Sequence, residues 1–187
     1  MDTRPYDIIY ADPPWPQKKV VRKVRPNQKP ELDYHTEPVE RCIELCVPFF
    51  NKAAPKHNVF MWAIDKFIPD TERLMADLGY KVHARLIWDK TNGIPAARTV
   101  RFSHEYLLWF FKRGGLLYPR PEAIGKYTTV MREKSTVHSR KPQCAYEMLE
   151  DMFPDAHKIE LFCRTPRPGW DAWGDEVPPE IAVNIQE

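Results

Sequence analysis

A three-layer α/β fold, with a mostly parallel sheet between helices, is what this sequence predicts, and three observations carry the expectation. Apolar runs of strand length recur at Asp7–Ala11, Val59–Ile64, Val82–Trp88, Glu105–Phe111 and Lys158–Cys163. Helical signals fall between several of them, and alternation of strands with helices argues for a layered sheet. The first run, Ile8-Ile9-Tyr10-Ala11, is continuously apolar rather than alternating, as in a strand buried on both faces.

That strand stops at Asp12-Pro13-Pro14-Trp15. Asp-Pro and Pro-Pro pairs are ordinary turn signals, and proline with an aromatic also suits a peptide ligand of an adaptor domain. A ligand peptide would be exposed, whereas this tetrapeptide follows a buried strand. Ligands of open parallel sheets sit beyond the carboxyl ends of strands, so an acid and an aromatic there are placed for chemistry. Thr36 can cap a helix to about Phe50, with Pro38 in its first turn where a missing N–H costs nothing. Asp70 to Leu78 reads as a second helix stopped by Gly79. Ala145, Met148, Leu149 and Met152 recur at helical spacing and predict a third, from near Pro142 to before Pro154.

Two connections, residues 16–33 and 91–104, follow strands but are polar, basic and interrupted by breakers. Such loops are functional lids or disordered insertions. The 19 prolines concentrate outside the strands, and no internal repeat occurs.

A length of 187 residues predicts one domain, 1–187, with little room for a second. A net charge of +2 with 29% charged residues describes an ordinary soluble protein, so any nucleic-acid contact must come from local patches. Cys42, Cys46, Cys144 and Cys163 form no Cys-x-x-Cys pair, and neither a signal peptide nor a long apolar span begins the chain. A reduced, cytoplasmic protein is the expectation. Cys42 and Cys46 would share a helix face as half a metal site, but no second pair follows at zinc spacing. They read as small core residues, and no metal is expected.

A nucleotide-binding α/β domain normally shows a glycine-rich turn after its first strand, yet this chain has seven glycines and no G-x-G-x-x-G. That counts against a dinucleotide or P-loop enzyme. It leaves open a cofactor without phosphate, such as S-adenosylmethionine, because those glycines serve close approach to phosphate.

Three blocks, "ADPPW" at 11–15, "HSRKP" at 138–142 and "KIELFCRTPRPGWDAWGDE" at 158–176, together resemble the MT-A seventy-kilodalton family of adenine amino-methyltransferases. "YHT" at 34–36, the tryptophan of "MWA" at 61–63 and "IWDKTN" at 87–92 fall in the family's order, so the resemblance spans nearly the whole chain. It implies a Rossmann-like methyltransferase fold in circularly permuted order, catalytic strand first and cofactor strand last, with S-adenosylmethionine as cofactor. Cys163 stands where the family commonly has Ala or Gly, and the basic insert after Trp15 is a region where members differ.

Adenine's amino group is a poor nucleophile because its lone pair is delocalised, whereas a sulfonium methyl is a strong electrophile. Alignment is therefore the main task, and well-oriented pairs gain roughly 7–11 kcal/mol. Acceptors on the amine hydrogens would localise the lone pair and stabilise charge growing on nitrogen. The Asp12 carboxylate and Pro13 carbonyl are assigned to this work. Pro13 and Pro14 fix φ and carry no N–H that could compete for the acceptors. Trp15 is expected to stack on the extruded base rather than to pack in the core.

By resemblance, Lys141 beside the N–H groups of a helix opened by Pro142 would hold the cofactor's carboxylate. Glu160, Phe162 and Arg164 would face the cofactor, and Asp175 and Glu176 its ribose hydroxyls. Singly each reads as a surface charge; jointly they lie in blocks matched over several neighbours. Trp170 and Trp173 are expected to pack, Tyr34 to close over the site, Thr36 to do so or merely to cap a helix, and the His104-Glu105 pair to be structural. Lys18, Lys19, Arg22, Lys23, Arg25 and Lys29 crowd the loop after the tetrapeptide, with Arg98 and Arg101 in the second loop. A solvated charged loop is the ordinary explanation; beside a base pocket, phosphate contact is the expectation. The expected partner is nucleic acid, DNA before RNA, with no membrane involvement and a homodimer left open. The rival from another class is a non-catalytic nucleic-acid-binding subunit, a role some relatives fill after losing the tetrapeptide that is intact here.

Overall fold

The computed structural model describes residues 4–16, 36–91, 100, 102–112, 114–135 and 140–184. Lys18, Lys19, Arg22, Lys23, Arg25, Lys29, Tyr34, Arg98 and Arg101 lie outside the described residues, and with them most of both basic connections.

In chain order the elements are β1 (Tyr6–Ala11), α1 (Val39–Asn51), β2 (Ala53–Ala63), α2 (Ile68–Asp77), β3 (Tyr80–Asp89), β4 (His104–Lys112), β5 (Val130–Arg132), α3 (Gln143–Met152), β6 (Lys158–Leu161) and β7 (Asp171–Trp173). The strands form one sheet in the order β5-β3-β4-β2-β1-β6-β7. Every neighbouring pair is parallel except those of β4, which runs against both β2 and β3. The carboxyl ends of β1, β2, β3 and β6 therefore share one edge with the amino end of β4. The first strand lies inside the sheet, between β2 and β6, as the permuted order requires.

β1 explains its own composition. Ile9 and Ala11 face the layer built by α1 and α2, where Ile43, Phe49 and Met75 close over Val59, Met61, Leu108, Ile159 and Leu161. Ile8 and Tyr10 face α3, packing with Phe60, Leu107, Met148 and Leu149. Both faces are covered, so a polar residue has no place in the run, and each fully buried large apolar side chain stabilises by about 1.5–3 kcal/mol. The fold is thus a three-layer, mostly parallel α/β architecture of the Rossmann-like methyltransferase kind.

Departures from expectation are local. α1 starts at Val39 after Pro38, with no side-chain cap, so Thr36 is not its N-cap. β5 and β7 were not legible, being three residues each and too short to show a period. Gly79 does stop α2's turn, at φ 85°, donating its N–H to the Ala76 carbonyl at 2.9 Å. Cys42 and Cys46 are buried in the core, and burial pushes the Cys42 thiol up to about 12.

Candidate active site

The chain beyond β1 is fastened at each step. The Pro13 carbonyl accepts the Trp15 N–H at 2.8 Å and the Pro14 carbonyl that of Glu37 at 2.9 Å. The prolines have no N–H to donate, so neither competes for these carbonyls. Pro13's oxygen keeps a second lone pair. Trp15 is 4% exposed; its ring stacks on Phe67 with centroids 5.8 Å apart and donates from Nε1 to the Trp62 carbonyl at 2.9 Å. Its apolar body and single N–H are both held inward, so it braces the corner, and it also lines the cavity that opens beside it.

A cavity of about 680 Å³ opens at this sheet edge, lined among others by Asp12, Pro13, Pro14, Trp62, Lys141 and Asp175. Its far wall is the strap following β6. Phe162 takes φ 59°, a left-handed conformation costly for a branched or bulky residue, and Cys163 N–H closes onto the Trp173 carbonyl at 2.9 Å. Gly174 permits this closeness, since a Cβ there would lie 2.4 Å from the Cys163 carbonyl oxygen. Phe162, Arg164, Asp175 and Glu176 all line the cavity, with Arg164 and Glu176 3.6 Å apart. Trp173 lines it too while packing on Phe49 and Phe162; Trp170 is buried under α3's layer.

Glu160 is absent from that wall. Strand alternation turns it to the opposite face, buried beneath α3, where Tyr146 donates to it at 2.8 Å. Burial pushes its carboxyl up to about 7. The side chain expected to face the cofactor thus lies beneath α3 rather than on the cavity wall.

Lys141 also differs from expectation. Its ammonium sits 2.9 Å from Asp12 Oδ1 and 3.0 Å from Glu105 Oε2, above the Trp62 ring at 5.4 Å. The N–H groups of Gln143 and Cys144 that open α3 are already taken, each at 2.8 Å, by the Glu133 carboxylate. A cofactor carboxylate would meet Lys141 but not that helix terminus. Burial raises the Asp12 carboxyl above the ordinary range, partly offset by Lys141. Glu105 is buried too, which alone would raise it, yet Lys141 and Lys90 together hold it below. Lys141 is kept charged by Asp12 and Glu105 despite the burial that opposes this.

Glu105 and Lys90, both cavity-lining, were missed as site residues. The signal was an acid beginning an apolar strand and a lysine ending another; without the pairing of β3 with β4 nothing connects them. Among the described residues no cluster of His, Cys, Asp and Glu could hold a metal ion, and no helix is long and apolar enough to cross a membrane.

The donor set suits the cofactor that the resemblance implies. The cavity has the usual volume of a small-molecule site. Cations (Lys141, Arg164) suit a carboxylate, acids (Asp175, Glu176) suit hydroxyls, and a glycine-enabled strap allows close approach.

The MT-A70 family model matches residues 6–176. The chain is 28% identical over 188 aligned positions to the Type II methyltransferase M.MunI of a Mycoplasma species, spanning 92% of this chain and 78% of that protein. It is 27% identical to the human N(6)-adenine-specific methyltransferase METTL4, again over 92% of this chain but 37% of that one. To the N6-methyladenosine RNA methyltransferase MTA1 of Cryphonectria parasitica it is 27% identical, over 92% of this chain and 52% of the relative.

Proposed function

The chain belongs to the MT-A70 family, and from that premise we propose that it is a methyltransferase that uses S-adenosylmethionine to methylate the 6-amino group of adenine in DNA. The observation that carries the reading is the convergence, in one cavity, of the Asp12 corner, Lys141 at 2.9 Å from it, and the 162–176 strap. When bound, the cofactor supplies an electrophilic methyl carbon. The protein's own residues do the rest. Lys141 receives the carboxylate end, while Asp175 and Glu176 accept from ribose hydroxyls. Asp12 and the second lone pair of the Pro13 carbonyl accept the two amine hydrogens, turning the nitrogen lone pair toward the methyl. No strong base is required, because the methylated amine is acidic enough to lose a proton to water.

Names of relatives support adenine as the base, with one of them an RNA methyltransferase. DNA is preferred because the relative matched over most of its own length is a Type II methyltransferase, whereas the RNA methyltransferase carries nearly half its length outside the match. RNA is the alternative substrate. The basic run Lys18 to Lys29 would follow the phosphates, adding about −0.9 per contact to the salt slope on duplex DNA and about −0.7 on single strands.

The test is transfer of a radiolabelled methyl group to single-stranded DNA, duplex DNA and RNA oligonucleotides, with Asp12→Asn alongside. Label should appear in DNA adenine, and the variant should lose on the order of 10²–10³ in rate, the usual effect of removing one preorganised partner. Labelling of RNA alone would move the substrate. Full-rate transfer by Asp12→Asn would end the catalytic assignment. A chain that binds nucleic acid but no cofactor in calorimetry would be the non-catalytic subunit.

A further inference from the structure

Four charged side chains from four parts of the chain meet on the cavity floor. Asp12 follows β1, Lys90 follows β3, Glu105 opens β4, and Lys141 precedes α3. Lys90 bonds Glu105 Oε1; Glu105 Oε2 lies 3.0 Å from Lys141, and Lys141 lies 2.9 Å from Asp12. Each ammonium also stands over an indole, Lys90 at 5.0 Å from Trp88 and Lys141 at 5.4 Å from Trp62. The Lys90 N–H donates to the Ser103 carbonyl at 2.9 Å, so the ends that carry Lys90 and Glu105 are fixed by backbone as well.

The signs alternate and sum to zero: two acids, two bases. Side-chain exposures of 24, 12, 17 and 21% along the chain from Asp12 to Lys90 leave little water to screen them. In such surroundings each charge is felt by the next but one. Lys141 is shared between two carboxylates, and what Glu105 takes of it Asp12 loses.

We propose that Glu105 and Lys90 are positioning residues: they hold Lys141 between two carboxylates, so that Asp12 meets the substrate amine ionised but only partly neutralised, a stronger acceptor than a carboxylate with a lysine to itself. Only the kinetic arm of this idea rests on the methyltransferase reading. The other groups that act on Asp12 are Arg164 from the strap, which favours its charged form, and Glu160, Tyr10 and Tyr146 beneath the sheet. Substitutions at Glu105 and Lys90 leave all four of these residues in place.

The sign of each substitution follows. Glu105→Gln removes a like charge and releases Lys141 to Asp12, lowering the Asp12 titration midpoint. Lys90→Gln leaves Glu105 short of a partner, draws Lys141 away from Asp12, and raises that midpoint. Each shift should be about one pH unit, a tenfold change in proton affinity. A merely structural role would not move the midpoint in opposite directions.

The experiment is carboxyl-carbon NMR titration of the full chain with labelled aspartate, the Asp12 resonance assigned through Asp12→Asn. Alongside it runs the pH profile of kcat. Opposite shifts, with the acid limb of kcat moving in step, are expected. Lys90→Arg keeps the charge and should titrate as wild type; if Glu105→Gln fails to fold, the two Lys90 variants decide alone. Shifts of the same sign, no shift, or a Lys90→Arg midpoint displaced as far as that of Lys90→Gln would overturn the proposal. Should the wild type transfer no methyl group at all, the methyltransferase reading fails while the titration still decides this one.

Discussion

Replacing Gly174 by alanine tests how the wall of the cavity is held. A Cβ there would lie 2.4 Å from the Cys163 carbonyl oxygen, 2.7 Å from its nitrogen and 3.0 Å from the Phe162 carbonyl carbon. All three are backbone atoms, so no side chain can swing aside. Ordinary contact begins at 3.4 Å, and the strap must therefore retreat by about 1 Å. The Cys163 N–H bond to the Trp173 carbonyl, 2.9 Å long, cannot survive that retreat. Overpacking costs about 1–3 kcal/mol and the lost bond about 1 more, so stability should fall by about 2–4 kcal/mol. For a chain of this length that is a drop of about 4–16 °C in Tm, read by scanning calorimetry. Titration calorimetry with S-adenosylmethionine supplies the second readout, because the same strap carries Phe162, Arg164, Asp175 and Glu176. Gly125→Ala is the control: φ there is 76° but nothing lies within 4 Å of a Cβ. It should cost about 1–2 kcal/mol of backbone strain and leave cofactor binding alone. A Gly174→Ala protein that melts and binds like wild type would refute the account of the wall.

Two further outcomes follow from buried groups. Glu160, ordinarily near 4.5 and pushed up to about 7 by burial, holds its proton more tightly folded than unfolded. Stability must then fall as pH rises between those values, by on the order of 3 kcal/mol. Glu160→Gln cannot ionise and still accepts from Tyr146; it should match wild type near pH 4.5 and melt higher at about pH 8, and an unflattened Tm–pH curve would contradict the assignment. Trp15→Phe keeps the stacking on Phe67 but deprives the Trp62 carbonyl of its donor, which should cost about 1–3 kcal/mol in urea unfolding; undiminished stability with weakened substrate binding would return Trp15 to the role of a base-stacking platform.

Much of this was readable in the sequence, and the reasons are physical. β1 and its proline corner were legible because a strand covered on both faces tolerates no polar residue and two adjacent prolines permit few conformations. α3 was legible because Ala145, Met148, Leu149 and Met152 keep one face to the sheet. The packing of Trp15 was hidden because sequence position beyond a strand does not reveal which way a ring turns, and Phe67, on which it stacks, is remote in sequence. The burial of Glu160 was hidden for a related reason: a strand offers alternate residues to opposite faces, and a one-residue choice of face decides between cavity and core. The capping of α3 by Glu133 was hidden because its carboxylate comes from beyond β5, a three-residue strand without a pattern of its own.

Glu105 marks the deepest limit, since its place depends on the direction of one strand. β4 and its neighbours β2 and β3 are all largely apolar runs, and nothing in their composition gives a direction. β4 is nine residues long, and at about 3.3 Å per residue its two ends lie roughly 26 Å apart. Had it run parallel to β2 and β3, Glu105 would have emerged at the opposite edge of the sheet, far from Asp12 and Lys141. Lys141 would then be left with one carboxylate in a buried site, and Lys90 with none. Removing a partner from a buried ion pair typically costs about 3–5 kcal/mol. The antiparallel insertion of β4 and the four-charge floor of the cavity therefore require each other: the strand's reversal delivers the acid that the two lysines need, and the lysines make that acid tolerable at a buried strand end.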